Sequence, residues 1–167
     1  RARAAPQSRG QSNYNPIFEF DGECENQRCR MVVTSVTGHL MELDFKPPFN
    51  KWHSCAPVEL FSAPVERRVP ADKEPLKAQL EAQARRARVL VLWLDCDAEG
   101  ENIASEVAEV CVGANARLRV LRARFSSLGE PALRRAARAL RQLDRNVSDA
   151  VAARSELDLR SGAAFTR

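Results

Sequence analysis

The stretch RVLVLWLDCDAEGE, residues 88–101, decides how the rest of the chain is read. Val89 to Leu94 form a continuous apolar run rather than an alternating one, which is the pattern of a parallel strand covered on both faces. Four carboxylates follow within seven residues: Asp95, Asp97, Glu99 and Glu101. If extended geometry persists briefly past Leu94, Asp95 and Asp97 point to one side. Gly100 then lets the backbone turn into a helix. Like charges this close resist ionisation unless a cation is present. An oxygen-seeking ion such as Mg²⁺, which takes one or two carboxylates and keeps several waters, resolves the conflict and suits chemistry at a phosphate. The competing reading is a solvated acidic loop in which Glu101 favours the start of the next helix.

Around this stretch the pattern is α/β. Pro75 opens a helix through LKAQLEAQARRA, with Leu76, Leu80 and Ala84 on one face. A second helix is expected over Glu101–Val112, with the apolar stripe Ile103, Val107 and Val110. LRVLRARF (118–125) reads as another strand, Ser126 and Ser127 as N-caps, and 130–143 as a helix. A last helix starts near Ser148 and runs toward Leu159. Helix, buried strand, loop, helix, strand, helix implies a parallel sheet flanked by helices, with ligands at the carboxyl ends of its strands. The place after Leu94 is such an end.

Upstream, residues 1–16 are polar and aperiodic and read as a flexible lead-in. IFEF (17–20) and MVVTSV (31–36) read as strands, and DGECENQRCR (21–30) as the loop between them. Residues 41–72 hold five of the nine prolines and should be loop-rich, with a short strand near Val58–Phe61.

Hydrophobic residues are 44% and charged residues 29% of the 167, as in an ordinary globular protein, and no apolar run reaches a membrane span. The net charge of +4 permits a polyanionic partner without demanding one. The five cysteines form no CxxC pair and no His/Cys cluster, which argues against zinc and fits a reducing compartment.

WLDCDAEGENI (93–103) resembles the DxDxE signature of the Toprim fold in type IA DNA topoisomerases. MVVTSVTGHLMELDF (31–45), KWHSCAPVELF (51–61), RVLRARFS (119–126) and VSDAVAARSELDLRSGAAFTR (147–167) resemble further segments of the same enzymes, in the order of the topoisomerase III branch. The resemblance spans about residues 14–167, closest to the eukaryotic alpha type. It implies a Toprim-type sheet lacking its first strand over 17–145, and the start of an adjoining helical domain over 146–167. It also implies Mg²⁺-dependent breakage and rejoining of one DNA strand through a 5′-phosphotyrosine. Asp95, Asp97 and Glu99 match the metal-site carboxylates, Glu99 the catalytic one, and Arg122, Arg124 and Arg167 fall in segments expected to contact DNA. The implied partners are DNA, mainly its single-stranded regions, and proteins of a recombination or dissolution complex. The implied location is the nucleus, and mitochondria as well.

The chain departs from that family at several points. An AEK-like first motif is absent, and the one tyrosine, Tyr14, stands upstream of the domain, so the nucleophile is expected on a region the chain does not reach. On this reading the chain alone should bind metal without cleaving DNA. Ala98 stands where the family has arginine, which leaves the carboxylates less balanced, and Ser127 where it generally has an acidic residue. Two other readings compete: a different Toprim enzyme, such as a primase or nuclease, and a non-catalytic DNA- or partner-binding remnant. Arg134, Arg138, Arg141 and Arg145 fall at helical spacing and suit either phosphate contacts or a solvated face. His39 suits a ligand, a base or a structural turn. Trp52 and Trp93 read as core aromatics, with base stacking open to Trp52 only if it is exposed.

Overall fold

The computed structural model describes residues 7–8, 12 and 14–167. Most of the expected flexible lead-in over 1–16 lies outside the described residues. Its described part is fastened. Strand β1 (Gln7–Ser8) pairs antiparallel with β2 (Ile17–Cys24). Gln79, buried on a helix, donates to the carbonyl of Asn15 at 2.7 Å and to Thr34 Oγ1 at 2.9 Å. Asn15 in turn donates to the Ser35 carbonyl at 3.0 Å.

Strand β2 pairs with β3 (Gln27–Val33), so most of the expected loop over 21–30 is a hairpin. Only Glu25 and Asn26 turn the chain, with φ of 50° and 62°. Paired left-handed residues match the twist of the flanking strands, and Asn tolerates that region. Polar residues hid these strands because the arm is exposed along much of its length and has no apolar face to maintain. A second hairpin joins β4 (Glu42–Phe45) and β5 (Val65–Arg68). Between them Pro57–Phe61 form a 3-10 helix where a strand was expected, with Pro57 in its first turn. Proline supplies the helical φ and has no N–H to donate to a strand ladder.

The expected α/β unit follows. Helix α1 (Glu74–Ala84) leads to β6 (Val89–Leu92), α2 (Ala98–Ala114) and β7 (Arg119–Arg122), and β6 and β7 pair in parallel. Among the described residues β6 pairs with no other strand. The far edge of β7 is extended by one antiparallel bridge between Arg122 and Arg141. Leu76, Leu80, Leu92, Ala104, Val107 and Leu118 fill the main core between α1, α2 and the sheet.

Helix α3 (Glu130–Arg138) is shorter than expected and is capped by Gly129 rather than by Ser126 or Ser127. The arginine stripe is therefore broken. Arg134 pairs with Glu130 at 2.6 Å, Arg141 lies in the bridge, and Arg145 opens α4 (Arg145–Thr166). Helix α4 is longer than expected at both ends, and at its start Asp144 is the N-cap, its carboxylate accepting the Val147 N–H at 3.3 Å. It packs on α2 and on the 3-10 helix, closing a second core of Phe45, Leu60 and Ala63 with Leu159 and Ala163. Both tryptophans lie outside these cores: Trp52 is 54% exposed and Trp93 41%, the latter stacked on Phe125 at 5.9 Å.

Candidate functional site

The acidic stretch lies where β6 ends and α2 begins. Helix α2 starts three residues earlier than the expected Glu101, with Asp97 as its N-cap, and Asp97 Oδ1 accepts the Gly100 N–H at 2.7 Å. Asp97 thereby satisfies a donor that the first helical turn leaves free. Gly100 is required by space: a Cβ there would stand 2.1 Å from the Asp95 carbonyl oxygen. This contact folds Asp95 back onto the helix start, so Asp95, Asp97 and Glu99 all lie exposed at the carboxyl end of β6.

Glu101 faces the other way and is buried. Its Oε2 accepts from Arg122 Nε at 3.0 Å, and its Oε1 from the Asp144 N–H at 2.7 Å and Arg124 at 3.4 Å. Burial opposes ionisation of Glu101, but the Asp144 N–H and the Arg122 and Arg124 guanidiniums outweigh it, holding the carboxyl below its usual range. Glu101 is thus an internal counter-ion rather than a member of the exposed cluster.

The three arginines expected to contact DNA separate. Arg122 is fully buried, with its guanidinium also donating to the carbonyls of Leu92, Leu94, Asp95 and Ala123, so it braces the site from beneath. Arg167 donates to the Phe49 and Lys51 carbonyls at 2.9 and 3.0 Å and lies over the Phe45 and Trp52 rings. Arg122 is therefore corrected to an internal role, whereas half-buried Arg167 spends its Nη1 on those carbonyls and leaves its Nε without a partner among the described residues. Arg124, 45% exposed, keeps surface to offer a ligand.

His39 and Glu106 join the site from outside the acidic stretch. Nε2 of His39 stands 3.3 Å from Glu99 Oε2, and Nδ1 stands 3.0 Å from Oε1 of the buried Glu106. Glu106 also accepts the backbone N–H groups of Leu40 and Met41. Sequence reasoning missed Glu106, although it is a carboxylate beside Val107 on the apolar stripe of α2, a position that calls for a partner.

Among the described residues no three His, Cys, Asp or Glu side chains converge to hold an ion between them. The donor set still fits a hard cation: three exposed carboxylates within five residues, one of them tied up through a single oxygen. It suits a hydrated ion held by one or two carboxylates rather than a closed cage.

The Toprim domain family matches residues 2–128 of this chain, a span that includes the parallel β6–β7 pair and the acidic cluster after β6. The chain belongs to the Toprim family. Its relatives include topoisomerase 3 proteins. It is 52% identical over 158 residues to "DNA topoisomerase 3-alpha" of Arabidopsis thaliana, covering 95% of this chain and 17% of that protein. It is 49% identical over 158 residues to the Homo sapiens "DNA topoisomerase 3-alpha", covering 95% and 16%. To "DNA topoisomerase 3-beta" of Oryza sativa subsp. japonica it is 41% identical over 154 residues, covering 90% and 18%. The chain thus spans less than a fifth of the length of these relatives.

Proposed function

We propose that this chain supplies the metal-binding Toprim part of a type IA DNA topoisomerase, which changes DNA topology by breaking and rejoining one strand. The observation that carries the reading is the exposed trio Asp95, Asp97 and Glu99 at the carboxyl end of β6, in a chain with topoisomerase 3 relatives along nearly its whole length. Asp95, Asp97 and Glu99 would hold Mg²⁺, and Glu99, on the first turn of α2, is also assigned the catalytic role. A bound Mg²⁺ supplies charge stabilisation at the phosphoryl oxygens.

The chain's own residues do the rest. Arg122 fixes the β6 end and the Asp95 carbonyl, Gly100 seats the cluster on the helix start, and Arg124 contacts DNA backbone at the rim. Tyr14 is assigned no part in the chemistry, and a 5′-phosphotyrosyl link requires a tyrosine from elsewhere. The preferred ligand on this reading is single-stranded DNA, in nuclear or mitochondrial DNA transactions that include recombination and repair.

The test is binding of a fluorescent single-stranded oligonucleotide with and without Mg²⁺, against a duplex of the same sequence. Single-strand binding that Mg²⁺ strengthens supports the reading. Binding that is equal for duplex and single strand and indifferent to Mg²⁺ would favour a remnant that binds DNA without this chemistry.

A further inference from the structure

We infer that His39 is a positioning residue for Glu99, held in place by the buried Glu106. The inference rests on the metal-site reading above and deepens it by naming what orients one of its carboxylates. Gly38, with φ of 72°, turns the chain so that His39, Leu40 and Met41 meet the side of α2. There Glu106 Oε2 accepts the Leu40 and Met41 N–H groups at 2.8 and 3.2 Å. With Oε2 occupied, Oε1 is left to receive Nδ1 of His39 at 3.0 Å. Donation from Nδ1 fixes the ring and aims Nε2 outward, where Glu99 Oε2 lies 3.3 Å away, within ion-pair distance when the ring carries both protons.

Glu99 and Glu106 are seven residues apart, two helical turns, so they share one face of α2 and the imidazole spans them. Exposure rises along the chain of contacts, from 5% at Glu106 to 44% at His39 and 59% at Glu99. A buried carboxylate thus orients a half-exposed ring, which orients an exposed carboxylate. An unrestrained surface glutamate samples many rotamers. The ion pair at Oε2 narrows that range for Glu99 and leaves its Oε1 free. Carboxylates that ligate metals are commonly hydrogen-bonded in this way, and losing such a partner typically weakens metal binding by about 10- to 100-fold.

Two substitutions separate positioning from a purely structural role, because His39 has one nitrogen on each side. His39→Asn keeps a donor near the Nδ1 position, preserving the Glu106 contact but not the reach to Glu99. His39→Gln keeps a donor near the Nε2 position. The measurement is Mn²⁺ titration of the full chain, read by the loss of the free-ion paramagnetic signal, with Mg²⁺ as competitor. His39→Asn is expected to weaken Mn²⁺ binding about tenfold at unchanged melting temperature, and His39→Gln, which loses the Glu106 contact, to recover part of that loss.

A second readout needs no variant. On adding Mg²⁺ to the parent protein, the ring signals of His39 in nuclear magnetic resonance should shift while those of His53 stay put. An Asn variant that binds like the parent, a Gln variant no better than Asn, or unmoved His39 signals would overturn the inference while leaving the metal site standing. A parent chain that binds no Mn²⁺ overturns both together.

Discussion

The Arg122 guanidinium lies wholly inside the protein with its Nε 3.0 Å from Glu101 Oε2, and the pair fastens the two strands beneath the acidic loop. Both charges are buried, so removing one leaves the other without its main partner. Arg122→Met is expected to destabilise the chain by about 3–5 kcal/mol, whereas Glu101→Gln, which leaves Arg122 its carbonyl partners, should cost less. Urea unfolding of the two variants checks the order.

The same pair sets an acid limb. The Glu101 carboxyl in the folded chain lies below its ordinary value of 4.5, so folding favours its ionised form. That contribution is fully present above about pH 4.5 and is lost as pH falls through the folded-state pKa. Stability should therefore decline on acidification below that value, and less so in Glu101→Gln. Melting temperatures from pH 6 to pH 3, with the difference between parent and variant plotted, test this. A constant difference would refute it.

Gly100→Ala should distort the site from within. The added Cβ meets backbone, the Asp95 carbonyl oxygen at 2.1 Å, rather than a side chain that can move aside. A loss of stability on the order of 3 kcal/mol and a loss of metal binding are expected together. An alanine variant with parental Mg²⁺ affinity would show that the close approach of Asp95 to α2 is unimportant.

Arg124 and Ala98 make opposite predictions for DNA. Arg124→Ala should weaken oligonucleotide binding and lower the salt slope by about 1. Ala98 borders an open groove with Asp144, Asn146, Val147 and Arg154, so Ala98→Arg adds a charge where space exists. That variant should bind oligonucleotide more tightly and depend less on added Mg²⁺. Fluorescence anisotropy across a salt series measures both; identical curves for Ala98→Arg and parent would mean that this position does not touch the ligand.

What could be read from the sequence followed how strictly each segment's environment constrains it. The run 89–94 and the stripe Val107 and Val110 announced a parallel strand and its helix, but the strand ends at Leu92, its one fully buried residue, and Trp93 is exposed. The middle of the hairpin 17–33 reads as a loop over 21–30 because its exposed arm imposes no demand for apolar residues. The acidic cluster was legible as charge, but its division was not: only the fold turns Asp97 into a helix cap and sends Glu101 inward to Arg122. For the same reason Arg122 resembled a DNA contact in sequence and is a buried brace in structure. His39 and Glu106, 67 residues apart, carried no local signal of their contact.

The central claim is that Asp95, Asp97 and Glu99 hold a divalent cation, and calorimetric Mg²⁺ titration of the parent against Asp95→Asn/Asp97→Asn tests it most directly. Asparagine keeps the oxygen that caps α2 through the Gly100 N–H, so the fold is preserved while two charges are removed. Saturable Mg²⁺ binding in the parent and its loss in the double variant, at similar melting temperature, is the expected result. Equal binding by the two proteins would contradict the account.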